Sequence, residues 1–217
     1  MMGKRSNYPR ISKDFYPTPA KAVLPLLPFL RPGTRFIEPC GGDGALISHL
    51  EAHGHTCVGA VDIEPRHRSI VARDALTLTT TDVVGAECFI TNLPWSRPVL
   101  HPLLAHLKGL LPLWTIIDSN WAHTIQAGPH MHYCSQVVSI GRVRWIPGTS
   151  SDGKDDASWY RFEAVPTETI FKGRAALSDL RSVEHNPTSV PGATASRHAR
   201  HHQYSSPMTP KAKETKG

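Results

Sequence analysis

Between residues 35 and 165 the chain repeats one pattern, short apolar runs separated by segments that fit helices. Apolar runs of this length suit strands buried on both faces, and alternating them with helices leaves an open, doubly wound α/β sheet as the arrangement that covers both. The expected fold is therefore Rossmann-like and mostly parallel. Strands are placed at 35–38, 57–62, 69–72, 87–91, 113–117, 136–146 and 158–164, and helices at 43–53, 98–110 and 120–130. The last two strands are joined by "PGTSSDGKDDA", with no room for a crossover helix, so they should pair antiparallel as a hairpin at one edge. Only "IEPRHRS" separates the second strand from the third, which should be little more than an extended turn.

A chain of 217 residues, 40% hydrophobic, can build one real core. No apolar run reaches the roughly 18 residues of a membrane span, and "AVLPLLPFL" has neither the basic start nor the cleavage site of a signal peptide. The four cysteines, Cys40, Cys57, Cys88 and Cys134, stand singly, as reduced core thiols would in a cytoplasmic protein. His53, His55, His101, His106, His130 and His132 follow no metal-ligand spacing, so no metal is expected. The formal charge is +6, and after Gly173 seven Lys/Arg face three Asp/Glu. Residues 1–173 thus form the expected domain. Residues 174–217, basic and rich in Pro, Ser, Thr and His, form an expected disordered tail, either a nonspecific phosphate-binding segment or a solubilising one.

In an open α/β sheet ligands bind at the carboxyl ends of the strands, and the unusual local sequences lie there. After the first strand comes "EPCGGDGAL", in which Gly41, Gly42 and Gly44 allow a tight turn and close backbone approach to a ligand. After the second comes "VDIEP", where Asp62 can take two ribose hydroxyl hydrogens. "GGDG" is neither G-x-G-x-x-G nor a P-loop, and the flanking Glu38 and Asp43 would repel a pyrophosphate while welcoming a cationic amino group. A ligand with an amino-acid end, a ribose and an adenine, and no phosphate, fits these charges.

On these motifs residues 14–165 resemble the class I S-adenosylmethionine-dependent methyltransferases, in particular the DNA amino-methyltransferases of phages and restriction systems. The resemblance implies S-adenosyl-L-methionine as cofactor. Glu38, Pro39, Gly41, Gly42, Asp43 and Gly44 match the glycine motif, Asp62 with Ile63 the ribose-binding acid, and Asp74 with Ala75 the acid that holds the adenine amino group. Tyr16, Thr18 and Pro19 of "DFYPTP" match the N-terminal segment that folds over the methionine end.

"TNLPW" is similar to that family's catalytic (Asn/Asp/Ser)-Pro-Pro-(Tyr/Phe/Trp) loop. An exocyclic amine conjugated to a base ring is a poor nucleophile, so the site must accept its hydrogens while its nitrogen faces the methyl group. Asn92, also counted with the cofactor site, offers a side-chain oxygen, and Leu93 and Pro94 aim a backbone carbonyl at the second hydrogen. Trp95 would stack on the flipped base. Leu93 departs from the family's Pro, which puts the rigidity of the loop in question.

The resemblance implies an N-methyltransferase acting on adenine N6 in DNA, with nucleic acid as partner. RNA or protein glutamine remains an alternative substrate, as does a noncatalytic protein that keeps the cofactor fold. Only about fifty residues separate the glycine turn from "NLPW", too few for a recognition domain between them. Specificity then falls to the C-terminal segment, a partner or the hairpin. Arg142, Arg144, Lys154 and Arg161 there alternate with Trp145, Trp159 and Tyr160, which suits phosphate contact and stacking, or else a packed face.

Overall fold

The computed structural model describes residues 15–145 and 155–174. The sheet comprises β1 (Arg35–Glu38), β2 (Thr56–Asp62), β3 (Val71–Ala72), β4 (Cys88–Thr91), β5 (Leu113–Asp118), β6 (Cys134–Arg142), β7 (Asp156–Phe162) and β8 (Ile170–Lys172), in the order β3-β2-β1-β4-β5-β7-β6-β8. The first five strands run parallel, and β7 inserts antiparallel between β5 and β6. The expected sheet and its hairpin are both present. The hairpin is not the outermost element, however, because β8 adds to β6 in parallel. A strand of three exposed residues carries no periodic signal, which is why the sequence does not announce it.

Side chains of the strands divide between two cores. Ile37, Phe89, Leu113, Ile117 and Tyr160 pack with Leu100, Leu103, Leu104 and Leu107 of α3 (Arg97–Leu107). On the other face Phe36, Ile90, Trp114, Ile116 and Trp159 meet α1 (Ala20–Val23) and α2 (Ala45–Ala52). The "CFI" run of β4 therefore alternates between two buried faces, as a central parallel strand must.

Three expected elements change. The helix placed at 43–53 begins only at Ala45, because Gly44 adopts φ +81°, a left-handed conformation that ends the turn rather than starting a helix. The helix placed at 120–130 is instead two 3₁₀ turns, Ser119–His123 and Ile125–Ala127, and a short α4 (Gly128–Met131). Asp118 caps the first turn, extended Thr124 interrupts the chain, and Pro129 opens a new helix. The strand placed at 136–146 is Cys134–Arg142, with Gly141 at φ +80° beside a register shift.

Trp159 and Tyr160 are packed rather than presented. The Trp159 indole donates to the Ala22 carbonyl at 2.7 Å and the Tyr160 hydroxyl to that of Ser119 at 3.3 Å. Arg161 pairs with Glu163. Arg142, Arg144 and Trp145 stay on the outer part of the hairpin, whereas Lys154 and all the tail after Arg174 lie outside the described residues. Among those described, no helix is long and apolar enough to cross a membrane, and no group of three His, Cys, Asp or Glu side chains could hold a metal ion. The four cysteines are unpaired thiols.

Candidate active site

The carboxyl ends of β1, β2 and β4 open onto one cavity of about 340 Å³, within the range of small-molecule sites. β1 delivers Glu38 at its end, and the chain turns through Pro39, Gly41 and Gly42 along the cavity wall. The turn is tight at two glycines. A Cβ on Gly41 would stand 2.9 Å from Ile70 Cδ1, and one on Gly42, whose φ is +52°, would stand 2.8 Å from the Phe15 ring. Asp43 accepts from the Ala45 amide at 3.1 Å, a local turn just ahead of α2, whose N-cap is Gly44.

Glu38 is 1% exposed. Burial pushes its carboxyl up to about 8, opposed by the Thr91 hydroxyl and the Cys40 amide and reinforced by the charge of Asp62. A carboxyl held there protonated is poised to ionise when a cation arrives. Asp62 accepts from the Gly42 amide at 2.9 Å through Oδ2 and from the Glu64 amide at 2.7 Å through Oδ1. Each oxygen keeps a lone pair, so the two can still take vicinal hydroxyls while tying the β2 end to the glycine turn. Asp74 caps the 3₁₀ turn Ala75–Thr77 through Oδ1, accepting from the Leu76 amide at 2.9 Å. Its second oxygen is left for another donor.

The segment ahead of α1 forms another part of the wall. Tyr16 and Thr18 line the cavity, and Pro19 precedes α1 at its start. The Asn92 amide nitrogen donates to the Tyr16 carbonyl at 3.4 Å. With the nitrogen donating there, Oδ1 is the remaining acceptor of a side chain that lines the cavity. Pro94 lines the cavity as well. Leu93 does not: it is 1% exposed, its side chain sits in the α3 core, and its amide reaches the Thr115 hydroxyl at 3.5 Å. Trp95 packs away from the cavity lining, its indole donating to the Ile116 carbonyl at 3.2 Å and its ring meeting Trp145 edge-on at 5.6 Å.

No family model matches the sequence, and no curated protein matches it. Among solved structures, a proposed RNA methyltransferase from Pyrococcus horikoshii superposes with a TM-score of 0.52 at 16% identity, covering 76% of this chain and 94% of that one. The methyltransferase subunit of a type I restriction-modification system from Streptococcus thermophilus gives the same TM-score at 9% identity, over 78% of this chain and 52% of that subunit.

The chain shares the Rossmann-like α/β fold of these two methyltransferases. In such a sheet the crevice lies at the strand carboxyl ends beside the switch in strand order, here between β1 and β4, where the glycine turn and the Asn92 loop face each other. Sequence reasoning missed several residues of this crevice. Phe15 and Arg66 close it over the glycine turn, and Leu76, Pro98, Val99, Pro102 and Leu103 supply an apolar wall. The α3 contribution had a signal, prolines four apart directly after "NLPW". The Arg66 contribution had none, because it depends on how the short 63–69 connection folds back.

Proposed function

We propose that the protein is an S-adenosylmethionine-dependent N-methyltransferase acting on an exocyclic base amine, with adenine N6 in DNA as its first substrate. The observation that carries this is the seating of Asn92, whose amide nitrogen donates to the Tyr16 carbonyl and leaves its oxygen as the acceptor of a side chain in the wall of an acid-lined cavity. The residues present fit the cofactor. Glu38 suits an ammonium, Asp62 a ribose, and Asp74 with the apolar wall of α3 an adenine, along a wall that the glycine turn completes.

When bound, the cofactor supplies a methyl group on a sulfonium. Asn92 Oδ1 accepts one hydrogen of the target amine, and the Leu93 carbonyl accepts the other, which directs the nitrogen lone pair along the line of displacement. Leu93 in place of Pro costs the loop a rigid residue, but the buried side chain and the amide directed at Thr115 hold it instead. Support for a nucleic-acid substrate comes from the proteins that share this fold, an RNA methyltransferase as proposed and a restriction-system subunit by name.

The test is methyl transfer from labelled cofactor to DNA, RNA and protein, with the modified group identified by mass spectrometry. Labelled N6-methyladenine in DNA is the expected product, and label confined to RNA or to glutamine would move the substrate. Asn92→Ala should keep cofactor binding within about 3-fold and lower the transfer rate about 100- to 1000-fold, as removal of one transition-state hydrogen-bonding group does elsewhere. An unchanged rate would remove Asn92 from the chemistry.

A further inference from the structure

We infer that Arg66 is the carboxylate-binding residue of the cofactor site, its guanidinium taking the α-carboxylate of the amino-acid end whose ammonium lies at Glu38. This rests on the reading that the cavity holds S-adenosylmethionine, and it concerns a residue that neither the motifs nor the fold assigns.

The cavity presents five carboxyl groups, Glu38, Asp43, Asp62, Glu64 and Asp74. Such a wall draws in a sulfonium and an ammonium, but it repels the carboxylate that the same ligand carries. A site of this charge needs one fixed cation to hold a zwitterionic end. Arg66 is the single Lys, Arg or His among the described lining residues.

Its placement is specific. The Arg66 amide donates to the Gly42 carbonyl at 2.8 Å, which anchors the residue to the glycine turn. The guanidinium carbon lies 3.6 Å from the centre of the Phe15 ring, and that ring rests on Gly42 with no space for a Cβ between them. Gly42, Phe15 and Arg66 thus form a stack over the turn where the amino-acid end must lie. Stacking occupies the flat face of a guanidinium and leaves its N–H edge to donate in plane, the geometry that grips a carboxylate with two bonds. The adenine end, by contrast, is provided for by Asp74 and the apolar α3 wall, where no cation is required.

The experiment compares S-adenosylmethionine with its decarboxylated analogue, which keeps the ammonium and the sulfonium, in calorimetric titrations of the full-length protein and of Arg66→Met. Native protein should prefer the carboxylate-bearing ligand by about 10-fold or more, the usual worth of a charge-assisted pair. Arg66→Met should lose that preference while binding the analogue within about 2-fold of native. Arg66→Lys, which keeps the charge without the fork, should fall between. A preference that survives in Arg66→Met overturns the assignment, and so does a variant that binds both ligands normally yet has lost affinity for nucleic acid, since Arg66 would then contact phosphate. Native protein that binds neither ligand overturns the cofactor reading itself, an outcome distinct from the other two.

Discussion

At the scale of single residues, Glu38 is where folding and ligand chemistry conflict. Its carboxyl sits near 8 when folded against 4.5 when free, so the folded protein holds a proton that the unfolded chain releases. Stability contributed this way is full below the free value and is lost as pH rises toward 8, above which the loss levels off. The penalty is on the order of a few kcal/mol. Glu38→Gln should therefore melt at a higher temperature than the native protein at pH 8, and the gap should close as pH falls to 5. Thermal melts across that range, taken as the difference between the two proteins, check it. A gap that does not depend on pH would show that Glu38 ionises normally. Natural sequences keep such costly groups where a ligand uses them.

Among the elements, the loop after β4 and the hairpin are joined through Trp95 and Trp145. Trp95 is pinned by the Ile116 carbonyl and braced edge-on by Trp145, so the orientation of its indole depends on a residue fifty positions away. Because Trp95 anchors the loop whose Asn92 and Pro94 line the cavity, Trp145→Ala should reduce the near-ultraviolet circular dichroism of the coupled pair and lower transfer about 10-fold, with little change in melting temperature, since both rings are half-buried. A large fall in melting temperature with unchanged transfer would make the pair purely structural.

Legibility also sorts by element. β1, β4 and β5 were readable because continuous apolar runs can be satisfied in few ways. The pairing of β6 with β7 followed from a connection too short for a helix. The segment 120–130 reads as one helix but folds as two 3₁₀ turns and α4, because capping by Asp118 and the break at Thr124 are local hydrogen-bonding choices that periodicity does not encode. In the candidate site, Glu38 and Asp62 were legible from their charge and strand-end positions, and Asp74 and Asn92 from motifs that resemble those of the methyltransferases. Arg66 and Phe15 were not, since their meaning is the stack they make with Gly42. Trp95 was legible as an indole beside the loop, but its bond to Ile116 and contact with Trp145 are tertiary.

For the molecule as a whole, charge is divided by position. The cavity is lined by acids, while seven Lys/Arg against three Asp/Glu follow Gly173. A nucleic-acid substrate, as proposed above, would be attracted by one part of the chain and kept from the acid lining by another. Replacing the seven late Lys/Arg with Ser should weaken nucleic-acid binding and flatten its dependence on salt concentration, leaving cofactor affinity unchanged. Filter binding at several salt concentrations measures this, and an unaltered slope would exclude those charges from substrate capture.

The most direct measurement is titration of S-adenosylmethionine into the native protein at pH 7, by calorimetry in two buffers of different ionisation enthalpy. One site per chain is predicted, with release of about one proton per ligand as Glu38 ionises beside the bound ammonium, and no such release in Glu38→Gln. Absence of binding heat in both buffers, or binding with equal proton release in the variant, would contradict the placement of a cationic nucleoside between the glycine turn, Asp62 and Asn92.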